Sequence, residues 1–280
     1  MTEKTIKQKL GFIGAGNMAN AICEGLVRKG RVAYSQIYVS GPRLQHLESW
    51  KTKGAHITTK NGYILDEADV IFLSVKPHIL PEAAANMFET SQPNKATNKL
   101  FISILAGVTL ESLENILCRL DGTRVVRVMP NTPLMVGEGC VVFCPGQQAT
   151  EDDIALVKSI FEVSGMCQLV PEAMINGVGA LAGSGPAYIY LIIEALSDGA
   201  VKMGIPREMA TSFAAQTVLG AAKMVLETGK HPGALKDEVC SPGGTTITGI
   251  HALERSGVRS AFMDAVECAT RRSAELGQKK

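Results

Sequence analysis

The chain has no excess of either charge, since 28 basic residues meet 27 acidic ones for a net charge of +1. No broad field is therefore available to gather nucleic acid or an anionic membrane, and an anionic ligand has to be met by local groups. Disulfide and zinc patterns are missing too. The seven cysteines, at 23, 118, 140, 144, 167, 240 and 268, are odd in number and scattered, and Cys140 and Cys144 are spaced CxxxC rather than CxxC. That usage fits a reducing compartment and a cytoplasmic protein. The five histidines, 46, 56, 78, 231 and 251, show no metal-ligand spacing, so no metal is expected. No uninterrupted apolar run reaches the roughly 18 residues of a membrane helix, because even AYIYLIIEAL carries Glu194. A soluble chain with no membrane partner is the expectation. Basic N-terminal residues ahead of LGFIGAGNMANA make a poor secretory leader, because Gly11, Gly14, Gly16 and Asn17 interrupt its apolar region. The one tryptophan, Trp50, lies on a polar helix and reads as packing.

What is present divides in two, and 280 residues suffice for two cores. KLGFIGAGNMANAICEGLVRKG reads as a short apolar strand, a glycine turn and a helix closing at Gly30. Gly14, Gly16 and Ala19 fit G-x-G-x-x-A: a tight turn, a close backbone approach to a pyrophosphate, and a small residue seating helix on strand. The helix start then offers free N–H groups to phosphate oxygens. Ile13, Gly14, Ala15, Gly16, Asn17 and Met18 form the expected phosphate turn. Further strands are predicted at 36–40, 69–75, 100–105, 124–129, 139–144 and 167–170, mostly with crossover-length sequence between them. The fold class is therefore α/β: an N-terminal Rossmann-type doubly wound sheet over 1–170, followed by an all-helical domain over 171–280.

The second strand bears on the choice of dinucleotide. An NAD site usually has an acid near its end for the ribose hydroxyls; here Ser40 and Arg43 follow and no carboxylate comes before Glu48, which favours NADPH while leaving NADH possible. A solvated loop charge is the competing account of Arg43. Asn61, the SVKP segment (Ser74, Val75, Lys76, Pro77) and LAGVT, with Ala106 and Gly107, follow other strand ends and are natural cofactor walls. Lys76 is equally compatible with a strand cap.

Beyond residue 171 the pattern is helical, with Pro186 and Pro206 at helix starts and Gly204, Gly229 and Gly257 at stops. PAYIYLIIEALSDGAVKMG and PREMATSFAAQTVLGAAKMVLETG are apolar nearly all round, which requires more than one packing neighbour and predicts an interlocked homodimer. SPGGTTITGIHAL breaks this half. Gly243 and Gly244 lead into a helix starting near Thr245, a turn suited to an anion nest at the positive helix end, with Ser241 adding a hydroxyl. A plain helix cap is the bland alternative. A small carboxylate is the natural guest, because no phosphate-sized basic cluster lies in this half. Oxidising an alcohol calls for a base, yet no lysine follows GSGPAY before Lys202. A protonated imine already accepts hydride and needs only a carboxylate grip and a hydroxyl near nitrogen, a place Thr246 can fill.

GFIGAGNMA, SVKPH, RVMPNTP, GSGPAY, GAAKM and DEVCSPGGTTI, in this order over residues 11–250, resemble the pyrroline-5-carboxylate reductase family. The resemblance implies NAD(P)H-dependent reduction of 1-pyrroline-5-carboxylate to L-proline, the final step of proline biosynthesis. It also implies a homodimer with intertwined helical domains, and decamers of such dimers. Position by position, Thr246 matches the threonine that hydrogen-bonds the substrate nitrogen. Ser241 and the backbone of Gly244 and Thr245 match the carboxylate loop, and Asn61 and Glu172 match cofactor-side positions. Gly229 and Lys230 depart from relatives with glutamate before HPG, and Cys240 stands where serine also occurs. Two other readings use the same two-part layout. A beta-hydroxyacid-type dehydrogenase would need a lysine after the glycine motif, and a non-catalytic NADPH-binding regulator would not need an intact SPGGTT.

Overall fold

A computed structural model describes residues 5–92, 95 and 97–278. Strands β1 (Leu10–Ile13), β2 (Ile37–Ser40), β3 (His56–Thr58), β4 (Val70–Leu73), β5 (Leu100–Ser103), β6 (Arg124–Met129), β7 (Gly139–Pro145) and β8 (Gly165–Leu169) form one sheet in the order β3-β2-β1-β4-β5-β6-β7-β8. All neighbours pair parallel except β6 and β7, which are antiparallel. The chain runs outward from β1 to β3, then crosses to β4 on the other side of β1. That reversal opens a crevice at the carboxyl ends of β1 and β4.

These strands are short and apolar because both faces of the sheet are covered. Successive side chains alternate, so Phe12 enters one core and its neighbour Ile13 the other. The first core stacks Phe12 on Phe72, ring centroids 4.5 Å apart, with Trp50 tilted at 5.8 Å from Phe12. The second gathers Ile71, Phe101, Leu113, Val142 and Ile175. Trp50 is 2% exposed, which makes it a core residue.

The helices that cover the sheet are α1 (Asn17–Arg28), α2 (Glu48–Thr52), α3 (Asn61–Glu67), α4 (Leu80–Thr90), α5 (Leu110–Leu117), α6 (Glu151–Phe161) and α7 (Glu172–Val178). Local chemistry starts several of them. Thr109 caps α5 by accepting from Ser112 N, and Thr150 with Asp153 forms a reciprocal capping box on α6. The strands predicted at 69–75 and 100–105 stop at Leu73 and Ser103, which puts Ser74, Val75 and Leu105 in loops. Strand β3 has three residues and no apolar alternation, so periodicity alone misses it.

After α7 a π-helical turn, Gly179–Gly183, leads into α8 (Gly185–Lys202), then α9 (Arg207–Thr228), α10 (Pro232–Val239), α11 (Thr245–Arg255) and α12 (Val258–Gln278). The chain divides into one compact unit of Met1–Gly183 with Ala269–Lys280, and a second of Ser184–Cys268. Within the second, α8 and α9 form a hairpin in which Ser197 Oγ lies 3.0 Å from Thr211 Oγ1 and accepts from Arg207.

Two helical stretches, Glu172–Lys202 and Arg207–Thr228, are long and apolar enough to cross a membrane by length and composition, with mean hydropathies of 1.3 and 1.2. Neither is an uninterrupted apolar run, since one charge such as Glu194 interrupts a run without making a helix polar. Among the described residues of Ser184–Cys268 only Ser197, Ala210 and Ala214 are buried, while Tyr190, Leu191, Phe213, Met224 and Leu226 are exposed. A helical unit with so little interior of its own leaves its apolar surface for another partner to cover.

Candidate active site

One candidate segment, in the unit that holds the sheet, is the glycine turn between β1 and α1. Gly14 has φ +104°, a left-handed conformation, and a Cβ there would lie 2.7 Å from the Ser74 carbonyl oxygen. Gly14 N donates to Ser40 O at 3.1 Å. The Ser74 hydroxyl lies 3.0 and 2.7 Å from the carbonyl oxygens of Ile13 and Gly14, and Ser74 N donates to Ile13 O at 2.9 Å. From the helix side, Asn20 Nδ2 donates to the carbonyls of Ala15 and Gly16, each at 3.2 Å. These bonds fix the turn from both sides.

At Gly16 an added Cβ would meet nothing within 4 Å, and α1 starts there with no side-chain cap on its first N–H groups. An open approach over uncapped N–H groups fits a dinucleotide pyrophosphate. Asn17 is exposed, while Ala15 and Met18 are half-buried and pack against the first core.

Ser40, read from sequence as a cofactor contact, has no exposed surface. Its hydroxyl donates to Asn61 Oδ1 at 2.7 Å, so Ser40 lies beneath the site and orients Asn61. Asn61 is held further by its Nδ2 donating to Ala83 O at 3.0 Å and its N donating to Asn86 Oδ1 at 2.8 Å. Arg43, Lys76 and Pro77 are exposed and Val75 is half-buried. In the loop after β5, Ala106 is exposed and Gly107 has φ +78°.

Glu172 occupies a place that sequence could not show. Its Oε1 accepts from Leu110 N at 2.7 Å, at the start of α5, and from Arg127 Nη1 at 2.9 Å. Arg127 is 2% exposed and donates its Nη2 to Asn176 Oδ1 at 3.1 Å; Ser273 Oγ donates to the same oxygen at 3.2 Å. Sequence reading passed over Arg127, whose one signal was an arginine inside an otherwise apolar strand. Asn131 was passed over too. It is 6% exposed, donates to Ala182 O at 3.0 Å and accepts from Cys140 N at 2.8 Å, tying the end of β6 to the start of β7 and to the π turn.

A second candidate segment, in the unit Ser184–Cys268, is the SPGGTT turn ahead of α11. Gly243 has φ +67°, and Gly244 N donates to Ser241 O at 3.0 Å. A Cβ on Gly244 would clash with Ser241 Oγ at 2.3 Å, so glycine is required for the hydroxyl to sit where it does. Helix α11 begins with no side-chain cap, and Thr245 and Thr246 supply its first N–H groups. Ser241 and Thr245 are exposed and Thr246 is half-buried, with no protein partner for its hydroxyl among the described residues. Uncapped N–H groups beside two hydroxyls are suited to a small carboxylate.

Three of the thiols do not compete for a catalytic role, on chemical grounds. Burial pushes the Cys23 and Cys167 thiols up to about 12 and Cys144 up to about 11, which keeps them protonated and unreactive. Cys240 is half-buried at the end of α10.

Comparison with known proteins bears on both segments. Residues 172–276 match the family described as pyrroline-5-carboxylate reductase dimerisation, and residues 9–107 match the one described as NADP oxidoreductase, coenzyme F420-dependent. The pyrroline-5-carboxylate reductase of Methanosarcina acetivorans is 48% identical over 274 residues, covering 97% of this chain and 99% of its own. That of Arabidopsis thaliana is 44% identical, covering 96% of each chain. The crystal structure of Plasmodium falciparum pyrroline carboxylate reductase with NADP bound superposes with a TM-score of 0.87 at 31% identity, covering 98% of this chain and 100% of that one. With a glycine turn shaped for a dinucleotide, a carboxylate-sized helix start and these relatives over its length, the chain belongs to the pyrroline-5-carboxylate reductase family.

Proposed function

We propose that this chain reduces 1-pyrroline-5-carboxylate to L-proline with NAD(P)H. The observation that carries the reading is the SPGGTT turn: an uncapped start of α11, a glycine forced by the Ser241 hydroxyl, and a Thr246 hydroxyl with no protein partner among the described residues. Family membership supports it independently.

Each residue's task follows from its chemistry. Ile13 to Met18 hold the cofactor pyrophosphate, with Ser74 and Asn20 keeping the turn rigid. Asn61, Arg43, Val75, Lys76, Pro77, Ala106, Gly107 and Glu172 line the remainder of the cofactor, and Ser40 acts through Asn61. When bound, NAD(P)H supplies the hydride. Ser241, Gly243, Gly244 and Thr245 grip the substrate carboxylate, and Thr246 hydrogen-bonds the imine nitrogen and steadies it as it gains a proton. No general base is needed, because the electrophile is a protonated imine. The absence of a carboxylate at the end of β2 supports a preference for NADPH.

The same reading takes residues 1–170 as the cofactor domain and 171–280 as the substrate and dimerisation domain, supported by the dimerisation match from residue 172. We place the enzyme in the cytoplasm, where seven free thiols are stable, as a homodimer that assembles into a decamer, with neither nucleic acid nor membrane as partner. The decisive assay follows the absorbance of reduced nicotinamide with and without pyrroline-5-carboxylate, using NADPH and NADH in parallel. Substrate-dependent oxidation with formation of proline is expected. Cofactor binding without turnover would leave the regulator reading standing, and light scattering reads the assembly.

A further inference from the structure

Arg127 is an expensive residue to bury. It is 2% exposed, its Nε has no hydrogen-bond partner, and the two Nη atoms reach Glu172 Oε1 and Asn176 Oδ1 at 2.9 and 3.1 Å. A buried ion pair contributes little to stability compared with well-packed apolar side chains of similar volume, so the cost calls for another reason. The fork geometry supplies one. A guanidinium can hold two acceptors at fixed angles, which a lysine ammonium cannot do in the same way.

Both acceptors lie on α7, and Glu172 carries the bond onward. Its Oε1 also receives Leu110 N at 2.7 Å, the N–H that opens α5 directly after the 105–109 loop. Arg127 itself pairs in register with Ser103, the last residue of β5, from which that loop departs. The loop is therefore held at both ends by one residue, through the Arg127 backbone at β5 and through its guanidinium and Glu172 at α5. Glu172 Oε2, by contrast, has no hydrogen-bond partner among the described residues, and the side chain keeps 34% exposure.

We infer that Arg127 is a positioning residue for cofactor binding. It fixes Glu172 Oε1 so that the 105–109 loop is held against the start of α5, and so leaves Oε2 to accept a hydrogen bond from the bound nicotinamide cofactor. The inference rests on the cofactor reading proposed above and adds to it a residue that does not itself touch the ligand.

The test is a double-mutant cycle on the full-length protein, with Arg127→Met, Glu172→Ala and the pair, read as NADPH dissociation constants from nicotinamide fluorescence and as Tm. Arg127→Met is expected to weaken NADPH binding about 10-fold, to leave KM for pyrroline-5-carboxylate within about twofold, and to have little further effect once Glu172 is alanine. Additive losses, or unchanged NADPH affinity in Arg127→Met, overturn the inference. Should Arg127→Met fail to fold, Arg127→Lys replaces it: weaker NADPH binding at near-normal Tm supports the positioning role, and wild-type affinity rejects it. If the wild-type protein binds no NADPH, the cofactor reading fails instead, which keeps the two failures distinct.

Discussion

The Ser74 hydroxyl reaches back from the end of β4 to the Gly14 carbonyl at 2.7 Å, joining the two strands on either side of the topological crevice. Through that contact the shape of the glycine turn depends in part on a residue sixty positions along the chain. Ser74→Ala removes a bond worth about 1 kcal/mol and frees the turn. We expect a matching fall in stability by denaturant titration and a several-fold rise in the NADPH dissociation constant. Unchanged affinity would show that the turn is rigid without it.

Gly14→Ala and Gly16→Ala should separate folding from binding. At Gly14 the positive φ alone costs alanine about 1–2 kcal/mol, and its Cβ would collide with the Ser74 carbonyl oxygen. We expect a clearly lowered Tm. At Gly16 φ is −74° and a Cβ has open space, so Tm should move little while the added methyl obstructs phosphate approach and weakens NADPH at least 10-fold. Equal Tm losses in both variants would contradict this division.

Thr246→Ala deletes a hydroxyl with no protein partner among the described residues, so Tm should hold. If that hydroxyl bonds a nitrogen gaining charge, its loss is worth roughly 1.5–3 kcal/mol, or about 10- to 100-fold in kcat/KM. Gly244→Ala should act differently, by displacing Ser241 Oγ: a raised KM for pyrroline-5-carboxylate at unchanged NADPH affinity. Steady-state kinetics on the two variants checks both, and unchanged kinetics for Thr246→Ala removes it from the mechanism.

Because the unit Ser184–Cys268 buries so little of its own apolar surface, its stability should depend on association. Tm is expected to rise with protein concentration, as mass action requires when only the folded chain associates. A Tm independent of concentration over a 100-fold range, in a sample that light scattering shows to be monomeric, would refute this.

Three buried thiols contribute to a loss of stability at alkaline pH. Folded values of about 12, 11 and 12 for Cys23, Cys144 and Cys167 lie above the ordinary 9.0, so the folded chain keeps protons that the unfolded chain releases. Their contribution is fully present below about pH 9 and is lost as pH climbs towards those values. Tm should be flat with respect to these groups at neutral pH and fall above pH 9, less steeply in Cys23→Ala. An identical slope in that variant would exclude Cys23 as a source.

The alternation of the two halves was legible in residues 11–30 and 241–253, because a glycine turn and a helix start are local chemistry: their backbone angles and free N–H groups follow from a few adjacent residues. Short strand β3 was not legible, nor were the roles of Asn20, Asn131 and Arg127, whose partners come from other elements. Ser40 shows the limit most sharply. As a strand-end residue it reads as a ligand contact, and only its burial and its bond to Asn61 reveal a supporting role.

By itself, then, the sequence determined the doubly wound sheet, the helical second half, the glycine turn after β1 and the SPGGTT turn, since each is written in patterns spanning a few residues or one helical or strand period. The tertiary structure alone decided which side chains at those turns are open to solvent and which buried groups hold them in place. Arg127, Glu172 and Leu110 meet only after three separate elements pack together, and hydrogen bonds between residues far apart in the chain leave no periodic trace in it.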